Sequence, residues 1–101
     1  MELIAEEHID LRHLDGTITQ IHFRIHKPQP HPEGKGDWGC VVEARGLWDD
    51  PIEIFGEGSF QALMLAISYM RKMTTYEVER GNVLLWCDGT DGELSSLFAT
   101  N

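Results

Sequence analysis

One stretch of this chain constrains its fold more than any other: Phe55-Gly-Glu-Gly-Ser-Phe-Gln-Ala-Leu-Met-Leu-Ala-Ile-Ser-Tyr-Met-Arg-Lys72. An alternating, strand-like pattern stops there and the only strong helical pattern begins. Gly56 and Gly58 let the backbone turn sharply. Ser59 follows as the expected N-cap, with a hydroxyl able to accept a free amide proton of the first turn. The apolar spacing predicts a helix from Phe60 to at least Thr74.

Upstream, residues 3–13 and 17–27 predict a β-hairpin whose register can be derived. Leu3, Ala5, Ile9 and Leu11 alternate on one face of the first strand, and Ile21, Phe23 and Ile25 on one face of the second. A two-residue Asp15-Gly16 turn would put these sets on opposite faces. A three-residue loop, Leu14-Asp15-Gly16, pairs Ile9 with Ile21 and Ala5 with Ile25. The burial of one face selects the second register. The prolines from Pro28 to Pro32 predict an extended loop running to Asp37. Trp38, Cys40, Val42 and Ala44 then share one face of a strand, and Asp49-Asp50-Pro51 turns into a short strand over 52–55. A last strand is expected at Val83 to Trp86, with an irregular tail over 88–101. The fold class is therefore α+β: one domain over residues 1–101, in β-β-β-β-α-β order. Its sheet is mostly antiparallel, of about five strands, with one helix packed on one face.

Composition narrows the functions open to such a domain. Eight basic residues against 17 acidic ones give a net charge of −9, which opposes binding to nucleic acid. No apolar run approaches the roughly 20 residues of a membrane span, and the start of the chain lacks signal-peptide features, so the expected location is cytoplasmic with no membrane partner. Cys40 and Cys87 stand far apart among apolar neighbours and read as buried, reduced thiols. Gly56-Glu-Gly58-Ser-Phe-Gln61 lacks the third glycine of a dinucleotide fingerprint, and Glu57 would repel a pyrophosphate. Asp88, Asp91 and Glu93 do not have calcium-loop spacing. No nucleophile–base constellation stands out, so the sequence predicts neither an enzyme nor a cofactor.

Two surfaces remain as candidates. In the derived register His8 lies opposite His22 and Glu6 opposite Arg24, with His26 opposite Ile4 and Asp10 diagonal to His22. Opposed Cβ atoms lie about 4.5–5.5 Å apart, so His8 and His22 could share a metal ion, with Asp10 or Glu6 supplying a carboxylate. The alternative is a solvated polar face with no ligand. On the helix, Leu63, Ala66, Ile67 and Met70 form the expected core stripe, while Ala62, Leu65, Tyr69, Met73 and Tyr76 form a second apolar ridge. Either tail residues Leu94, Leu97 and Phe98 cover that ridge, or a partner does through Leu65, Tyr69 and Tyr76. That partner would be a basic protein or a second copy in a homodimer.

A Trp38-Gly-Cys40 strand, the Gly56-Glu-Gly58-Ser-Phe-Gln-Ala-Leu63 helix entry and a closing Leu84-Leu-Trp86 strand resemble a family of small uncharacterised bacterial proteins over roughly residues 17–94. That resemblance implies the fold and carries no activity. The strands-then-helix order also resembles antitoxins of the HicB type, although the chain shows no DNA-binding extension. Together these features predict a small acidic binding or accessory protein, with metal or ligand binding on the histidine face as the alternative.

Overall fold

The structure is a computed structural model, described here for residues 2–33 and 37–98. Residues 34–36 of the expected loop and 99–101 of the expected tail lie outside the described residues. In chain order the elements are β1 (Leu3–Arg12), β2 (Ile18–His26), β3 (Gln29–Pro30), β4 (Trp38–Arg45), β5 (Ile52–Gly56), α1 (Ser59–Glu79), β6 (Val83–Leu85) and the single turn α2 (Leu94–Leu97). All strand pairs are antiparallel. Val42 pairs with both Ile25 and Ile52, and Trp38 with both Pro30 and Gly56. Strands β2 and β3 therefore follow one edge of β4, and β5 the other. Among the described residues the sheet is five strands wide although it is built from six.

The hairpin has the register that burial demands. Ile9 lies opposite Ile21, His8 opposite His22, Glu6 opposite Arg24 and Ala5 opposite Ile25. His13 and Thr17 close the loop through the His13 N–H to Thr17 carbonyl bond of 2.8 Å, and Gly16 sits at φ 88°, where a Cβ would be strained. One detail differs from expectation. A bulge between Leu3 and Ala5 leaves Leu3, not Ile4, opposite His26.

The inner face buries Ile9, Leu11, Ile21, Phe23, Cys40, Val42, Ala44 and Leu84. Helix α1 lies against β4 and β5, and begins one residue earlier than the serine cap predicts. Gly58 occupies the cap in an extended conformation without a side-chain cap bond. Instead the Gln61 side-chain oxygen accepts the Glu57 N–H at 2.6 Å, satisfying a donor of the entering chain. At the other end Gly81, at φ 94°, donates to the Val78 carbonyl at 3.0 Å and stops the helix. The buried stripe is Ala62, Ala66, Met70 and Thr74, with Leu63 and Ile67 only half-buried. Among the described residues no helix is long and apolar enough to cross a membrane.

Candidate functional site on the outer sheet face

Alternation along the strands that bury Ile9 and Ile21 inward turns the intervening residues outward. Glu6, His8 and Asp10 of β1 thus share the outer face with Gln20, His22, Arg24 and His26 of β2, and with Glu43 and Arg45 of β4. The cross-strand pair His8 and His22 stacks, with ring centroids 4.0 Å apart and planes 17° from parallel. His22 also reaches Glu6, Nε2 to Oε2 2.8 Å. An ionised carboxylate can only accept, so the His22 proton in this bond sits on Nε2. That hydrogen bond holds the Glu6 carboxyl below its ordinary value of 4.5, assisted by the nearby His22, Arg24 and His8.

Among the described residues, Glu6, His8 and His22 form a group whose ligand atoms all lie within 4.8 Å of one another. Asp10 is not in that group. It lines an adjoining cavity of about 390 Å³ together with His8, Gln20, His22, Arg45 and Cys87. The carboxylate that reaches His22 is therefore the one diagonally across from it on the other side, Glu6. Cys87 is exposed, contrary to the expectation of a buried thiol, and its Sγ–H donates to the His8 carbonyl at 3.3 Å. The reason is positional: Cys87 lies past the end of β6, beyond the residues that the core covers. Cys40 is fully buried as expected, and burial raises its thiol pKa.

A second polar group adjoins the first. His26 Nε2 donates to Glu43 at 2.6 Å, and Arg24 approaches the same carboxylate oxygen at 3.7 Å. The His26 side chain is only 8 % exposed, and its Nδ1 is buried without a hydrogen-bond partner. The Asp88 carboxylate, whose spacing from Asp91 and Glu93 fits no calcium loop, accepts the Thr90 N–H and hydroxyl at 2.9 and 2.6 Å and so closes a turn.

On the other side of the molecule, Leu65 and Tyr76 of α1 are 44 % and 43 % exposed. Tyr69 is half-buried, its ring edge-on to Trp48 at 5.5 Å. Ala62, placed on this ridge by the sequence, is in the core, while Leu94, Leu97 and Phe98 pack against the core between helix and sheet and leave Leu65 and Tyr76 open. Compared with family models, curated proteins and solved structures, the chain matches none.

Proposed function

We propose that this is a non-enzymatic binding protein that docks a basic protein partner on the outer flank of α1. The observation that carries this reading is the exposure of Leu65 and Tyr76 beside Tyr69, on a helix flank that the tail residues leave uncovered. Tyrosine offers a large contact area with few rotatable bonds, which is why it recurs among the residues that dominate binding. The net charge of −9 favours a basic partner and opposes close approach of a second acidic copy. Small acidic inhibitors such as immunity proteins and antitoxins are the functional analogy, and the absence of a catalytic constellation in the sequence agrees with it.

The test uses the protein as bait beside a Leu65→Asp, Tyr76→Ala variant of equal helicity. A basic protein retained by the native chain and lost from the variant is the expected result. With that partner purified, its association rate falls as salt rises, and Tyr69→Ala mainly speeds dissociation. A partner retained equally by the variant overturns the docking face. A dimer in light scattering that the same substitutions dissolve transfers the flank to self-association.

A further inference from the structure

The outer sheet face supports a site independent of the helix flank. Three features converge there. The ligand atoms of Glu6, His8 and His22 cluster within 4.8 Å. They project from neighbouring strands whose register is pinned by the buried Ile9 and Ile21 beneath them. They also supply two imidazoles and one carboxylate, the nitrogen–oxygen set that a borderline metal takes while leaving a coordination position open. We propose that Glu6, His8 and His22 bind a zinc-class divalent cation, tying β1 to β2.

The geometry states what binding requires. Tetrahedral coordination at about 2.0–2.1 Å places ligand atoms roughly 3.4 Å apart. Atoms at the 4.8 Å limit close by at most about 1.4 Å, while His22 Nε2 and Glu6 Oε2, now 2.8 Å apart, open by about 0.6 Å. Glu6 and His8 are exposed and free to make that movement, and the stacked imidazoles turn out of parallel to aim their lone pairs inward. The ion takes the place of the proton that now bridges His22 Nε2 and Glu6 Oε2 at 2.8 Å. That hydrogen passes to Nδ1 when the imidazole is neutral, or to solvent when it is imidazolium, and because the ligands must be deprotonated binding weakens as the pH falls. Arg24 and Arg45, opposite Glu6 and His22 respectively, set the local charge against a cation, and Glu43 offsets Arg24 at 3.7 Å. The site is accordingly one of modest affinity.

Zinc added to metal-free, tag-free protein tests the assignment, because a ligand bound only by the folded state raises its melting temperature. About 100 μM zinc is expected to raise it by at least about 4 °C. Titration calorimetry is expected to show one ion per chain. His22→Ala and Glu6→Gln should each abolish the rise, and Asp10→Asn should retain it. Glu6 is exposed, so Glu6→Gln carries the comparison even if His22→Ala folds poorly. No rise in the native chain, or an undiminished rise in Glu6→Gln, overturns the site and leaves the histidines as a solvated sheet face.

Discussion

Glu43 shows how one outward-facing carboxylate can be coupled to folding. His26 donates to it at 2.6 Å and Arg24 lies 3.7 Å away, and these two partners, the hydrogen bond first, hold its carboxyl below 4.5. A carboxyl depressed in the folded state stabilises that state above its unfolded pKa, and the contribution is lost as pH falls through the folded value. Glu43→Gln should therefore lower stability at neutral pH and flatten the loss of stability on acidification below pH 4.5, read as urea midpoints relative to the native chain. Glu6, Asp15 and Asp88 are depressed as well, so the difference between the two proteins is the diagnostic quantity. Parallel acid profiles would show that the contact contributes nothing to folding. The pairing of His8 with His22 was legible because period-two alternation and the loop length jointly determine it. The bulge that sets Leu3, not Ile4, opposite His26 was not, since no distinctive residue announces it. Nor was the preference for Glu6 over Asp10, because strand twist, which periodicity does not encode, helps decide which diagonal neighbour comes closer.

At the level of the elements, α1 was legible as a helix but not in its rotation. Periodicity places Leu63, Ala66, Ile67 and Met70 in the core, and Ala66 and Met70 are there; yet Leu63 and Ile67 are only half-buried, while Ala62, assigned to the ridge, is 0 % exposed. Close approach explains the choice. A Cβ added to Gly56 would lie 2.5 Å from the Ala62 nitrogen and 2.8 Å from its Cα, so the end of β5 and the first turn of α1 meet backbone to backbone. The glycine that looked like a mere hinge is also a packing requirement. Gly56→Ala should cost about 1–3 kcal/mol, because backbone must shift to admit the methyl group. Met70→Ala, at the centre of the stripe, should cost about 2–4 kcal/mol, against less than about 1 kcal/mol for Leu65→Ala. Chemical denaturation orders these three variants. A neutral Gly56→Ala would show that the helix can move off the strand, and a Leu65 loss equal to that of Met70 would place the flank in the core.

For the molecule as a whole, the width of the sheet sets the packing problem. Five strands at about 4.8 Å spacing exceed the roughly 10 Å breadth of one helix. Helix α1 lies over β4 and β5, so the hairpin half needs another cover, and residues 94–98 provide it. Phe98 packs edge-on against Phe23 with centroids 6.4 Å apart. The seam between helix and tail is incompletely filled, leaving an apolar cavity of about 270 Å³ lined in part by Ala5, Ile25, Ile67 and Phe98. A segment that reads as irregular in sequence, with polar residues interrupting Leu94 and Leu97, thus completes the core through three apolar contacts and one helical turn. Phe98→Ala should remove much of that cover. Because Phe98 is only half-buried, the expected cost is about 2 kcal/mol, below the 3–5 kcal/mol typical of a fully buried phenylalanine. Thermal unfolding should register it as a drop of roughly 8–16 °C, given about 4–8 °C per kcal/mol for a domain of this size. Amide exchange in β1 and β2 near Ile9 and Phe23 should quicken at the same time, since these strands lose their cover while β4 and β5 keep α1. An unchanged melting temperature would mean that the hairpin half of the core stands without its tail, and the division of the sheet between two covers would fail with it.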